Sequence, residues 1–249
     1  MTGRTFAIGD IHGETSHLFK LLSCFPKLTR QDTLVFLGDY LDRGPRSSEV
    51  IEYLMTLPSR TEAKVVCLRG NHEDAWLRVC KKGWDEFLLP ASNGCLATYR
   101  SFVGGPVPAD DELPSQDEMM ALTTGSFIPD ATFHWLEKLG FWYEDEHAIY
   151  VHAGLPRGKA GFLHPSKVKD RQILLWIRTQ DFFQNYRGKS VVFGHTRTEF
   201  LPQELSSYTP DDPTDLWAGE NVIGLDTGCG IGGFLTGLEL PAMRVYESR

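Results

Sequence analysis

The sequence predicts an α/β protein built around parallel strands. Three observations carry that prediction. Short apolar runs of β type recur, each stopping abruptly at a polar turn, as in "TFAIGD", "TLVFLGD", "KVVCLRGN", "AIYVHAG" and "SVVFGHT". Amphipathic helical patterns separate the early runs, and a strand–helix–strand order implies βαβ units with parallel pairing. The chain of 249 residues is 41% hydrophobic, which suits one large domain of this class.

In chain order, "TFAI" is followed by "TSHLFKLLSCF", which places Leu18, Leu21, Leu22 and Phe25 on one helical face. Thr15 or Ser16 is the expected N-cap, because a hydroxyl there accepts from an orphan main-chain N–H. After "TLVFLGD", the stretch "SSEVIEYLMTL" repeats the pattern with Val50, Ile51, Leu54 and Met55 behind Ser47 or Ser48. Residues 83–130 break the rhythm. Their "SFVGGPVPADDELPSQDE" is rich in glycine, proline and acids and reads as an insertion or lid outside the core of a single domain 1–249. A helix over "DATFHWLEKLG" and a hairpin over "FWYEDEHAIYVHAG" follow. A sixth strand-like run, "NVIGLDTG", opens a glycine-punctuated tail that favours antiparallel strands, "FLTGLEL" then "MRVYE".

Formal net charge is -8, with no long run of either sign. Nucleic-acid binding needs a basic patch, and none is visible. An acidic protein that binds phosphates must concentrate positive charge locally, through metals or clustered arginines. The five cysteines are scattered and form no C-x-x-C pair, so free thiols in a reducing compartment are expected. No apolar run approaches the ~18 residues of a membrane span, and the N-terminus has no apolar leader core. A cytoplasmic protein without membrane contact is the expectation.

Five of the strand-like runs end in side chains able to hold a metal or a phosphate. They deliver Asp10 and His12, then Asp39 with Asp42 and Arg43, then Arg69, Asn71 and His72, then His152, then His195. An aspartate after glycine at a strand end is ordinary turn chemistry, and a single histidine there is commonly a hydrogen-bonded rim residue. Agreement of five turns is different, because open α/β sheets bind ligands at the carboxyl ends of their strands. His17, His134, His147 and His164 stand apart from these turns and receive no role. The carboxylate, imidazole and amide set contains no thiolate and suits Mn, Fe or Zn. Two metals need a bridging ligand, which a carboxylate supplies; paired ions about 3.5–4 Å apart are known in phosphatases.

The motifs "GDIHG", "GDYLDRG", "RGNHE", "HAG" and "GHT", in this order, resemble the phosphoprotein phosphatase family of calcineurin-like metallophosphoesterases, and most of all its small bacterial and bacteriophage branch. The resemblance runs from about residue 6 to residue 240, including "LLWIR" and "DTGCGIGGFLTGLEL", and covers 83–130 least. It implies two facing mixed β-sheets flanked by helices, with the site at the strand ends. It also implies two divalent transition metal ions, Mn first with Fe or Zn as alternatives. Asp10 and His12 would bind one, Asn71, His152 and His195 the other, and Asp39 would bridge them. His72 would be the general acid, oriented by Asp42. Arg43, Arg69 and Arg178 would hold the phosphate. The expected mechanism is direct attack of a metal-bridging hydroxide on phosphorus, with no covalent phosphoenzyme.

The function so implied is a protein serine/threonine phosphatase, with phosphotyrosine as a further substrate, acting as a monomer on phosphorylated proteins or peptides. A dinucleoside tetraphosphate hydrolase or cyclic-nucleotide phosphodiesterase shares the same metal core. "DRG" after "GDYL" and the glutamate of "GNHE" lean to the protein-phosphatase side. A third reading is a non-catalytic metal-binding scaffold. Such a relative would be expected to lose His72 or an arginine, and this chain keeps them all.

Overall fold

The computed structural model describes residues 3–209 and 211–249. Twelve strands are formed among them: β1 Thr5–Ile8, β2 Thr33–Phe36, β3 Lys64–Cys67, β4 Trp142–Glu144, β5 Ile149–Val151, β6 Arg157–Gly158, β7 Gly161–Phe162, β8 Val191–Phe193, β9 Trp217–Ala218, β10 Val222–Gly224, β11 Thr236–Leu240 and β12 Arg244–Glu247. The helices are α1 Thr15–Cys24, α2 Ser47–Thr56, α3 Asn71–Lys82, α4 Cys95–Val103, α5 Gln116–Thr124, α6 Asp130–Lys138, α7 Ile173–Trp176 and α8 Gln180–Asn185. Two five-stranded mixed sheets result, ordered β12-β11-β1-β2-β3 and β4-β5-β8-β10-β9. Strands β1, β2 and β3 run parallel in the first, and β5, β8 and β10 run parallel in the second. The antiparallel strands lie outside these trios.

Period-2 alternation sorts each strand's residues between two cores. Ala7, Val35, Tyr150 and Val192 point between the sheets, where they meet Leu37, Leu68 and Leu238. Their neighbours Phe6, Ile8, Leu34 and Phe36 pack under α1 and α2. On the other side, Ile149, Val151, Val191 and Phe193 pack under α7 and α8. The central strands are therefore apolar on both faces, which is why they read as unbroken apolar runs. Among the described residues, no helix is long and apolar enough to cross a membrane.

Several local expectations are corrected. Glu14 and Arg46 occupy the N-cap positions of α1 and α2, with no side-chain cap. The α2 hydroxyls have tertiary partners instead: Ser47 Oγ accepts from Asp42 N at 3.1 Å, and Ser48 Oγ donates to Ser101 O at 2.8 Å. Strand β10 pairs in parallel with β8 and antiparallel with β9, so the tail is antiparallel throughout only at β11 and β12. The 83–130 segment is largely helical and partly core. Phe87, Leu88, Cys95, Leu122 and Ile128 join the core beneath α1 and α2. The longest stretch of this segment without helix or strand is the glycine- and proline-rich 104–115.

Candidate active site

The carboxyl ends of β1, β2, β3, β5 and β8 converge, and they do so through strained turns. Among the described residues, eight non-glycines have positive φ, and His12, Asp39, Asp42, Arg43 and His195 are five of them. Such conformations cost energy and persist only where surroundings impose them. The turns are also pressed together. A Cβ at Gly194 would come within 2.0 Å of Asp10 Oδ1, and one at Gly70 within 2.1 Å of Asp39 Oδ1. Only glycine allows these approaches.

Asp39 lies at the centre and is buried. Its Oδ1 is 3.4 Å from His152 Nε2, and its Oδ2 is 3.5 Å from His12 Nε2 and 3.8 Å from His72 Nε2. Two triads able to hold a cation share it: His12–Asp39–His72 and Asp39–His152–His195. Burial alone would raise the Asp39 carboxyl, but the surrounding imidazoles of His152, His72, His12 and His195 hold it well below the usual range. The N-terminus of α3 adds to this, because His72 N donates to Asp39 Oδ1 at 3.1 Å.

The imidazoles are oriented by main-chain carbonyls. His12 Nδ1 donates to Leu41 O at 2.8 Å, and His152 Nδ1 donates to Leu37 O at 2.9 Å. A carbonyl only accepts, so each Nε2 keeps its lone pair. Burial lowers the pKa of His12, His152 and His195, which favours neutral rings at pH 7. Asn71 Oδ1 faces His152 Nε2 at 2.9 Å and His195 Nδ1 at 2.7 Å. At His152 an acceptor thus faces an acceptor, an arrangement a cation resolves. Asp10 Oδ2 accepts from His195 N at 2.9 Å, while its buried Oδ1 has no partner among the described residues. Asp10 joins neither triad, and its Oδ2 is held by the His195 amide in the turn after β8. The donor set, the orphaned oxygen and the neutral rings fit divalent transition metals.

Beside the cluster, His72 Nδ1 donates to Asp42 Oδ2 at 2.7 Å. The other Asp42 oxygen accepts from Thr98 Oγ1 at 2.6 Å and from Trp76 Nε1 at 2.9 Å. Burial would lower the His72 pKa, but Asp39 and Asp42 outweigh it and raise it. Arg43 Nη1 lies 2.7 Å from His12 Nε2, and its Nη2 lies 3.5 Å from His72 Nε2. Arg178 Nη2 donates to His195 O at 3.2 Å. Arg43 and Arg178 line a cleft of about 280 Å³ with Asn71, His72, Trp84 and Phe87.

Arg69 is not brought there. Its Nη2 donates to Leu136 O and Glu137 O at 3.2 and 2.7 Å, and its Nη1 lies 3.6 Å from Asp74. The guanidinium also lies over the Phe141 ring, at 4.8 Å from the centroid. The orphan carbonyls at the C-terminal turn of α6 capture this cation. The four histidines left without a role are hydrogen-bonded elsewhere, to Ser248, Asp130, Gly3 and Glu144.

Sequence reasoning passed over several supporting residues. Glu73 is fully buried and accepts from the main-chain N–H groups of Asp39 (2.9 Å), Tyr40 (2.7 Å) and Gly70 (2.8 Å). It ties the end of β2 to the start of α3, and burial with the nearby Asp39 pushes its carboxyl up to about 7. Trp76 follows His72 by four residues, a spacing that puts both on one helical face. Asp226 ends the sixth strand-like run and is buried near Asp10 and Arg43. Thr98 left no sequence signal. Cys229 lies closer than expected: its Sγ donates to Ile11 O at 3.4 Å, and burial holds the thiol protonated.

The chain belongs to the calcineurin-like phosphoesterase family, whose pattern matches residues 3–198. The chemistry of that class is phosphoester hydrolysis with divalent metal ions, and the donor cluster lies where such chemistry requires it. Over 96% of its length the chain is 26% identical to the asymmetrical bis(5'-nucleosyl)-tetraphosphatase PrpE of Anoxybacillus flavithermus, covering 91% of that protein. A shorter stretch of 65 residues, 26% of this chain, is 42% identical to the serine/threonine-protein phosphatase PP1-1 of Saccharomyces cerevisiae and spans 21% of it. A crystal structure assigned as a diadenosine tetraphosphatase superposes with a TM-score of 0.63 at 22% identity, over 99% of this chain and 93% of that one. The last likeness is one of fold.

Proposed function

We propose that the chain is a phosphomonoesterase acting on phosphoserine and phosphothreonine in proteins, with phosphotyrosine as a further substrate. The observation that carries this reading is the His72–Asp42 pair at 2.7 Å, with Asp42 locked from behind by Thr98 and Trp76. A serine or threonine alkoxide is a poor leaving group and needs a proton as its P–O bond breaks. His72, kept protonated by its carboxylate neighbours, supplies it from Nε2. A nucleoside polyphosphate releases a phosphate oxygen instead, which departs with far less help. The acid pair therefore favours alkyl monoesters.

Divalent ions bound at the cluster supply Lewis acidity toward a phosphoryl oxygen and lower the pKa of water; Mn is our first expectation. His12, Asp39, Asn71, His152 and His195, with Asp10 at the edge, would hold them. Arg43 and Arg178 would bind the phosphoryl oxygens with their forked donors. A water oxygen forms the new bond to phosphorus, the bond to the seryl oxygen breaks, and the His72 proton passes to that oxygen. The Cys229 thiol is protonated and committed to Ile11 O, which supports hydrolysis without a covalent phosphoenzyme.

A second reading, hydrolysis of dinucleoside tetraphosphates, is favoured by the relative that matches along nearly the whole chain. One experiment addresses both. His72→Asn should keep its metals while kcat on a phosphoserine peptide falls by roughly 10²–10⁴, the usual worth of general acid catalysis. Para-nitrophenyl phosphate, whose leaving group needs no proton, should suffer much less. Equal losses on the two substrates with metal intact would count against the acid role. A wild type that cleaves diadenosine tetraphosphate but no phosphopeptide would establish the second reading.

A further inference from the structure

A second cavity, of about 450 Å³, opens beside the cleft over His72, and Arg43 belongs to the walls of both. The 83–130 segment builds most of it, through Leu88, Leu89, Leu96, Val107 and Leu122. Leu89 and Val107 are 59% and 67% exposed. Large apolar side chains left in water around a concave surface mark a binding site more often than chance exposure does. Asp110 and Asp111 stand on its rim, and neither forms an ion pair among the described residues.

We infer that this groove receives an apolar side chain of the substrate polypeptide next to the phosphorylated residue, with a basic residue beyond it facing Asp110 and Asp111. The inference rests on the protein-phosphatase reading above. Continuity carries the placement: a phosphate held by Arg43 puts its flanking residues at the mouth of the groove. Charge carries the choice of occupant. Two unpaired carboxylates on the rim attract a cationic peptide and repel a polyphosphate chain, so a nucleobase trailing a tetraphosphate is disfavoured. The 83–130 segment thus serves the site twice, holding Asp42 through Thr98 from behind and shaping the substrate groove in front.

The test uses three phosphoserine peptides. One carries leucine beside the phosphoserine and arginine beyond it; one replaces the leucine by alanine; one replaces the arginine by glutamate. Wild type should prefer the first by about tenfold in kcat/KM, mainly through KM, the scale expected of one apolar pocket. Leu89→Asp should erase the leucine preference, and a double Asp110→Lys, Asp111→Lys variant should invert the charge preference. Para-nitrophenyl phosphate has no flanking residues, so its turnover should be unchanged in both variants. A Leu89→Asp variant that loses all three peptides equally, or loses para-nitrophenyl phosphate as well, overturns the groove. So does a wild type that cleaves the three peptides alike, with the phosphatase reading left standing. Turnover of diadenosine tetraphosphate without any phosphopeptide would overturn both, and a Leu89→Asp effect confined to that substrate would assign the groove to a base.

Discussion

The two sheets deliver side chains to the same place by different means. The turns after β1 and β2 hold His12, Asp39, Asp42 and Arg43 at positive φ, and buried carboxylates of Glu73 and Asp42 organise the backbone and side chains around them. The second sheet contributes His152 and His195, with only His195 strained among the two. Both take their orientation from the first sheet. His152 is aimed by Leu37 O beyond β2, and the His195 amide is tied to Asp10 beyond β1. The first sheet is thus the template, and the second docks two imidazoles onto it. Damage to the template should cost both halves of the site, while damage to its outlying supports should cost little.

The largest effect should come from Asp39, the residue common to both triads. Asp39→Asn should lose metal and turnover together, by at least ~10³-fold in kcat, a loss on the scale of removing a group central to transition-state charge stabilisation. Elemental analysis of Mn-reconstituted, desalted protein checks this, with two ions expected in the wild type and fewer than one in the variant. One ion at full wild-type activity would break the reading of Asp39 as the ligand shared by two ions.

A smaller loss should follow from unlocking Asp42. Thr98→Val removes one of two partners from a buried Asp42 oxygen, which keeps Trp76 Nε1, and from the Asp42 amide, which keeps Ser47 Oγ, a change worth about 1 kcal/mol. Stability should fall by that amount, and kcat on a phosphoserine peptide by about tenfold, with metal content unchanged. Urea unfolding and kinetics on one preparation would show whether the two losses travel together. Loss of stability with intact kcat would reduce Thr98 to a packing residue.

Arg69 and Arg43 sharpen the comparison, since both follow strands of the template. Arg69→Ala should leave kcat/KM within about twofold while costing about 1 kcal/mol, because the carbonyls ending α6 lose their donor. A tenfold fall in kcat/KM for this variant would place Arg69 in phosphate binding after all.

The smallest effect lies far from the site. Burial would raise the Asp32 carboxyl, but hydrogen bonds from Arg4 and Thr29 bring it down to about 2. A depressed carboxyl stabilises the fold above its unfolded value, about 3.9, and loses that contribution as pH falls through its folded value. Discounted for partial exposure, the contribution is about 1 kcal/mol, or ~2–4 °C in a chain of this size. The gap in melting temperature between wild type and Asp32→Asn should therefore hold at pH 6 and close between about pH 4 and pH 2. A gap unchanged across that range would assign it to packing.

Local physics was legible in the sequence. The six apolar runs became β1, β2, β3, β5, β8 and β10, because strands that pack apolar side chains on both faces, fully in the sheet interior and partly at the β3 edge, need no alternation and stop where polar turn residues begin. The glycine-bracketed turns announced the cluster for the same reason, since close approach and positive φ restrict the residues allowed there. What the sequence could not determine depended on partners brought from elsewhere. Thr98 reaches Asp42 across 56 residues, and Ser47 and Ser48 gave up capping for tertiary hydrogen bonds. Arg69 followed a motif into a turn and was then drawn off by the end of α6. A strand's apolar pattern is satisfied by its own neighbours, whereas a polar side chain goes to whichever unpaired donor or acceptor the packed chain leaves within reach, and only the tertiary structure decides which that is.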